Sequence, residues 1–392
     1  MDFQRLTDFL EGLSKKGIPG NSCAVMLDGK RVYEHYCGYA DLEAQKPVGP
    51  DTLFRIYSMT KIFTCVAAMQ LYEKGLFSLS DPVSEYLPEF AQMRVLTSKP
   101  NGKPLEYPAA QRIRVEDLFG MTAGLTYVDD GGEAARVRAE NLRKLESEHP
   151  NYTTRDYVKM LASGPLAFEP GSHWRYSTCH EVLGAFIEVI SGERLSAYIE
   201  EHICRPLGLH DTFFRCDAQT REARLAGFYR HQEDGSYERI TDQDEHYAPE
   251  SRMDRGGAGL LSTLGDYLTF AQTLTDGGIS QQGVRIIGEE TLRLMRTNRL
   301  NAVQRQDFDW IQYRGYGYGL GVRVMMDPAM AGGGHMGEFG WSGMAGTWVM
   351  MDPAKRLTAV YMEQAAPSLE AYITPKLRNI IYSCITSRNL NE

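Results

Sequence analysis

The sequence predicts an α+β fold in which one antiparallel sheet, flanked by helices, is built from both ends of the chain around an inserted all-helical or mainly helical domain. Three observations carry this. Strand-like runs occur near the start, at Gly20 to Lys30 and Arg31 to Ala40, and again near the end, at Tyr318 to Met326, Gly346 to Asp352 and Arg356 to Gln364. The stretch from about 90 to 250 instead shows helical periodicity and loop signals with almost no alternation. Amphipathic helices open and close the chain. The expected organisation is therefore discontinuous, with 1–88 and 256–392 forming the sheet domain, 89–255 the insertion, and a site where they meet.

Taken in order, Met1 to Leu10 reads as an amphipathic helix with acids inside it. Asp28-Gly29 is a two-residue hairpin signal between the first two strands. Leu79-Ser80-Asp81-Pro82 caps a short helix ending near Leu87-Pro88, and Ile113 to Phe119 forms another that stops at Gly120. Gly132 to Ser147 is a charged helix whose polar residues suit a solvated face. Tyr157 to Ala162 and Val182 to Ile190 are further amphipathic helices. A glycine turn at Gly256 to Gly259 opens into a helix over Leu264 to Leu274, and Leu369 to Ser387 closes the chain as a helix.

Composition bounds the function. The 392 residues are 43% hydrophobic and 24% charged, ordinary for a soluble globular protein, with a net charge of −9. That balance lacks the basic footprint of a nucleic-acid partner and gives no attraction to anionic membranes. Seven cysteines without a Cys-x-x-Cys pair argue against a disulfide framework and fit a reducing cytoplasm. The N-terminal residues do not read as an export signal, and no segment has the apolar length to span a bilayer. Oligomeric state is not readable from the sequence.

The chemistry centres on Ser58-Met59-Thr60-Lys61 and the run Ile62 to Tyr72, whose apolar residues fall on every side as in a fully buried helix. Ser58 is expected to open that helix, and Lys74-Gly75 to end it. A lysine in the first turn of a buried helix is opposed by the macrodipole and by desolvation, both of which favour its neutral form. Ser and Lys at i and i+3 share a face, the geometry of a serine activated by a neighbouring base. The alternative is that Ser58 caps the helix and Lys61 runs its stem out to solvent.

Tyr176 lies on a loop after Pro170-Gly171 and before a helix, placed to reach across a domain boundary. Beside Lys61 it could act as base for Ser58; otherwise it is a core or rim tyrosine with a satisfied hydroxyl. Gly340-Trp341-Ser342-Gly343-Met344-Ala345-Gly346-Thr347 runs into a strand, so glycines there allow a strand edge with free N–H groups to approach a ligand, or simply mark a bulge. Tyr127, Trp310, Tyr316 and Trp341 are candidate pocket walls.

In this order, Ser58-Met59-Thr60-Lys61, Tyr176-Ser177-Thr178 and Trp341-Ser342-Gly343 resemble the three motifs of the serine β-lactamase superfamily, class C branch. Thr122-Ala123-Gly124-Leu125, Phe168-Glu169-Pro170-Gly171, Gly256 to Leu260 and Asp352-Pro353 agree with it, and the resemblance spans about residues 20 to 385. It implies a β-lactamase/DD-peptidase-like fold. Ser58 would be the acylated nucleophile, Lys61 and Tyr176 the proton-transfer pair, and the backbone N–H groups of Ser58 and Met344 the oxyanion hole. Trp341, Ser342, Gly343 and Thr178 would contact substrate.

Two departures carry information. Penicillin-processing members have a lysine where Trp341 stands, and that cation binds a carboxylate; an indole disfavours carboxylates and favours apolar acyl or alcohol groups. Thr178 replaces the usual asparagine, which weakens recognition of an amide. Tryptophan at this position resembles the family VIII carboxylesterases and related acyltransferases. His335-Met336-Gly337 competes as the third motif, but Gly346-Thr347 and the following strand stand at the family spacing from Trp341; whether His335 contributes to the site is left open.

The expected function is a serine carboxylesterase acting on small-molecule esters of short or medium chain through a Ser58 acyl-enzyme, with no metal and no cofactor. Acyl transfer on the same site, β-lactamase or D-peptidase activity, and a non-catalytic binding or sensor role remain as alternatives. His180-Glu181 lacks a second histidine at zinc spacing, the acidic run Asp242 to His246 reads as a solvated loop, and the glycines at 315, 317, 319 and 321 do not make a dinucleotide fingerprint.

Overall fold

A computed structural model describes residues 1–98, 102–241, 244–308 and 310–386. Its centre is an eight-stranded sheet, antiparallel at every pairing, in the order Tyr316–Tyr318, Arg323–Met325, Phe339–Ser342, Trp348–Asp352, Leu357–Glu363, Gly20–Leu27, Lys30–Asp41, Lys46–Pro47. The ends of the chain meet where Gly20–Leu27 pairs with the fully buried Leu357–Glu363. Asp28 and Gly29 both take positive φ, 51° and 72°, as a two-residue hairpin turn of right-handed twist requires.

Side-chain alternation sorts the sheet into two faces. Cys23, Val25, Trp348, Met350, Ala359 and Tyr361 pack beneath the terminal helices Gln4–Gly12 and Glu370–Thr386. Ala24, Met26, Val349, Met351, Val360 and Met362 face the helices Thr60–Glu73 and Leu264–Thr275 and share one continuous core with Cys179–Ser191 and Thr154–Ser163. The helix Gly132–Glu148 buries only Ala134, Ala135 and Arg138, leaving the solvated face its charge pattern suggests.

Several elements depart from expectation. The insertion is not purely helical, since Arg94–Ser98 pairs with Pro104–Pro108 and Phe228–His231 with Tyr237–Ile240. The first hairpin buries only Val95, so no alternating apolar face announces it. The strand expected over Tyr318 to Met326 is two strands reversed at Gly321, whose φ is 81°. The helix expected after Pro82 is a pair of 3-10 turns, Val83–Glu85 and Pro88–Phe90. Ser387, the expected end of the last helix, and Asp242, the start of the acidic run, lie outside the described residues. Asp244 is not merely solvated, because it forms an ion pair with the buried Arg55.

All seven cysteines are free. Among the described residues no helix is long and apolar enough to cross a membrane, and no group of His, Cys, Asp and Glu is arranged to hold a metal ion.

Candidate active site

The helix Thr60–Glu73 starts two residues later than the sequence suggests, and Ser58 is the middle residue of a preceding 3-10 turn, Tyr57–Met59. Tyr57 enters that turn with φ of 42°, a left-handed conformation that costs an aromatic residue about 1–3 kcal/mol. The surroundings hold it there. Ile56 N–H donates to Leu260 O at 3.2 Å, Thr347 Oγ1 to Ile56 O at 3.2 Å, and Tyr267 OH to Met59 O at 3.0 Å, while the Tyr57 ring packs on Phe228. Ser58 is therefore no helix cap. The cap position is Met59, with no side-chain cap bond.

Lys61 does not reach solvent, its exposure being 0%. Its ammonium donates to Ser58 Oγ at 3.1 Å, to Tyr127 OH at 3.3 Å and to Gly257 O at 2.8 Å, and it lies 4.6 Å from the centre of the Tyr176 ring. Tyr176 stands just before the helix Cys179–Ser191. Its hydroxyl accepts from the Trp341 indole Nε1–H at 3.0 Å. Burial pushes the Tyr127 hydroxyl well above its usual range, with the neighbouring Tyr176 and Glu181 adding to it.

The third stretch reaches the site through an incompletely paired strand. Arg323–Met325 covers only Phe339 and Gly340 of Phe339–Ser342, so Trp341 and Ser342 are paired on one side alone, with Val349 and Trp348. Gly343 follows against the Ile56 carbonyl, where a Cβ would sit 2.5 Å from the oxygen. Only glycine allows this approach, which sets the Gly343–Gly346 turn beside the Ser58 turn. Met344 projects from that turn and is 59% exposed.

With this geometry in view, the family is decided by one further match: the profile described as Beta-lactamase fits residues 5–379. The chain belongs to the beta-lactamase family. Among its relatives, Protein Rv1367c of Mycobacterium tuberculosis is 35% identical over 342 residues, covering 85% of this chain and 82% of that one. Esterase EstB of Burkholderia gladioli is 27% identical over 391 residues, covering 96% and 93%. The solved structure of EstCE1, a hydrolase with promiscuous acyltransferase activity, superposes with a TM-score of 0.77 at 26% identity, covering 97% of this chain and 99% of that one. The α+β architecture with its antiparallel sheet is the fold of this family.

Within the family frame, Ser58, Lys61, Tyr176 and Trp341 come together, while several other residues singled out from the sequence do not face an open site. Trp341 is 1% exposed and packs among the rings of Tyr176, Tyr313 and Tyr318, so it backs Tyr176 instead of lining a pocket. Ser342 Oγ is held by Tyr313 OH and Glu370 Oε1, each at 2.5 Å. Thr178 is buried and donates to Thr126 O at 3.4 Å. Tyr316 turns away, bonding Glu338 Oε1 and the Arg378 guanidinium at 2.8 Å each. His335 Nδ1 lies 3.4 Å from the buried Asp352 Oδ1. Trp310 is half-buried and stays at the site, its ring edge-on to Tyr176.

Sequence reasoning missed the Gly257 carbonyl, Glu181, the direct contact of Tyr127 with Lys61, and the Tyr313–Ser342–Glu370 group. A signal existed only for Gly257. The glycine run was visible, but its reason, a close approach of Glu181 and Lys61, belongs to the tertiary structure. The neighbouring His180, bonded to Cys65 Sγ at 3.1 Å, is held well below the usual histidine range by burial and by the Lys61 charge.

Proposed function

We propose that this protein is a serine carboxylesterase that hydrolyses short- to medium-chain esters through an acyl-enzyme on Ser58. The observation that carries the reading is the Lys61 ammonium, wholly buried and 3.1 Å from Ser58 Oγ. Burying a lysine costs free energy that its hydrogen bonds must offset, and a buried amine within hydrogen-bond reach of a hydroxyl is the arrangement that activates a weak alcohol nucleophile. Tyr176, with Lys61, takes the Ser58 proton as Oγ attacks the ester carbonyl. The oxyanion is received by the backbone N–H groups of Ser58 and Met344. The proton then passes to the departing alcohol, and water repeats the sequence to free the acid.

Trp341 puts a buried indole where a carboxylate-binding cation would stand, which supports neutral esters over β-lactams and D-peptides. The seven free thiols suit a reducing cytoplasm. Acyl transfer to an alcohol other than water is a second reading, favoured by the description of EstCE1.

The test is hydrolysis of p-nitrophenyl butyrate by wild type and Ser58→Ala, with the fluorophosphonate adduct located by mass spectrometry. Loss of activity in the variant and an adduct on Ser58 are expected; equal rates would remove Ser58 from the chemistry. A chromogenic cephalosporin turned over as fast as the ester would overturn the role given to Trp341. Ester products formed with an added alcohol would identify the transferase.

A further inference from the structure

Beneath the Ser58, Lys61 and Tyr176 group lies a carboxylate that the steps above do not use. Glu181 sits in the first turn of the helix Cys179–Ser191 and is 7% exposed. Its Oε1 accepts from the Gly257 N–H at 3.2 Å, and the carbonyl of the same residue accepts from Lys61 Nζ at 2.8 Å. Glu181 Oε2 has no hydrogen-bond partner among the described residues. A Cβ placed on Gly257 would lie 2.7 Å from Glu181 Oε1 and 3.3 Å from Lys61 Nζ. Those two distances bound the separation of carboxylate and amine at about 6 Å, within the range where opposite charges stabilise each other strongly.

Lys61 also has three polar neighbours, the Gly257 carbonyl and the hydroxyls of Ser58 and Tyr127, and a carbonyl can only accept. An ammonium, with three donors, satisfies all of them at once.

We propose that Glu181 is a positioning residue of the Ser58 site: through Gly257 it aims Lys61 at Ser58 Oγ, and as an anion it keeps Lys61 in the ammonium form. The inference rests on the reading of Ser58 as nucleophile. The charge that faces Tyr176 and Ser58 is then a property of the Glu181–Lys61 pair and not of Lys61 alone.

The remaining groups around the pair leave this assignment intact. On the Glu181 side stand Arg255, a second cation favouring the carboxylate, and the phenols of Tyr127, Tyr152 and Tyr157, all shifted upward by burial and so neutral. On the Lys61 side, Cys65 is shifted upward and His180 downward, both by burial, so neither competes for the charge. Burial itself pushes the Glu181 carboxyl up, opposed by Arg255, by Lys61 and by the backbone N–H groups of Gly257 and Gly256.

The experiment is the pH profile of kcat/KM on p-nitrophenyl butyrate for wild type, Glu181→Gln and Glu181→Asp. Glutamine keeps an acceptor for the Gly257 N–H and removes the charge, so the base that receives the Ser58 proton ionises more easily. The acid limb is expected to move to lower pH by about one unit or more in Glu181→Gln and to return close to wild type in Glu181→Asp. A limb unmoved in a folded Glu181→Gln, whatever happens to kcat, overturns the inference, because a merely structural role lowers the rate without moving the limb. If Glu181→Gln does not fold, Gly257→Ala serves instead. Its methyl pushes the carboxylate from the amine and is expected to move the limb the same way, and an unmoved limb there counts equally against the proposal. A wild type without Ser58-dependent activity would remove the esterase reading and this inference together, whereas an active wild type with unmoved limbs removes this inference alone.

Discussion

Replacing Trp341 by phenylalanine tests whether the indole works through Tyr176. The substitution removes the Nε1–H that donates to Tyr176 OH at 3.0 Å and leaves a ring among Tyr176, Tyr313 and Tyr318. In the resting structure a hydrogen bond of this kind contributes about 1 kcal/mol. In the proposed mechanism Tyr176 takes the Ser58 proton, so the same donor would then face a phenolate, and a bond to a charged group contributes about 1.5–3 kcal/mol. The difference, about 0.5–2 kcal/mol, is what the rate loses, so the expected fall in kcat/KM is about 2- to 30-fold. Because Trp341 is 1% exposed, the loss should appear in kcat with KM little changed. The smaller side chain also leaves a cavity costing about 1–3 kcal/mol of stability, which a thermal melt reads separately. A folded variant with kcat/KM equal to that of wild type would refute the reasoning. So would a large rise in KM at constant kcat, since the indole would then be touching substrate.

Other consequences can be checked alongside. His180 is buried with its ionisation held well below the usual histidine value of 6.5, so the folded state binds fewer protons than the unfolded chain below that pH. The stability from its neutral ring is present above pH 6.5 and lost as pH falls, at up to about 1.4 kcal/mol per unit. Melts between pH 7.5 and 5 should be flatter for His180→Gln than for wild type, and parallel curves would contradict this. Ser342→Ala should lower stability by about 1 kcal/mol by removing the hydroxyl shared by Glu370 and Tyr313, which keep their bond to each other, with KM unchanged; a KM several-fold higher would return Ser342 to substrate contact. In Gly343→Ala the new methyl would meet Ile56 O at 2.5 Å and Thr347 Oγ1 at 2.2 Å. The turn must move away from Ser58, and fluorophosphonate labelling of Ser58 should slow by about tenfold or more. Labelling at the wild-type rate would show that the turn does not matter.

What the sequence determines here is whatever local chemistry and spacing can carry. The Asp28-Gly29 turn, the all-round apolar run after Lys61, and the order of the Ser58, Tyr176 and Trp341 stretches are each written in a few neighbouring residues, and the sheet and the meeting of those stretches follow from them. What only the tertiary structure decided is which way a side chain faces and what meets it from elsewhere in the chain. Thr178 and Ser342 stand in the right motifs and Tyr316 is a candidate pocket wall, yet their hydroxyls are taken by Thr126, by Glu370 and by Glu338 with Arg378. Glu181 and Gly257 are 76 residues apart, and no local pattern joins them. Exposed hairpins such as Arg94–Ser98 with Pro104–Pro108 bury too little to leave a period in the sequence. Periodicity records burial against a core, and motifs record spacing along the chain; neither records the partner that long-range packing brings to a polar atom, as Tyr127 and Gly257 are brought to Lys61 here.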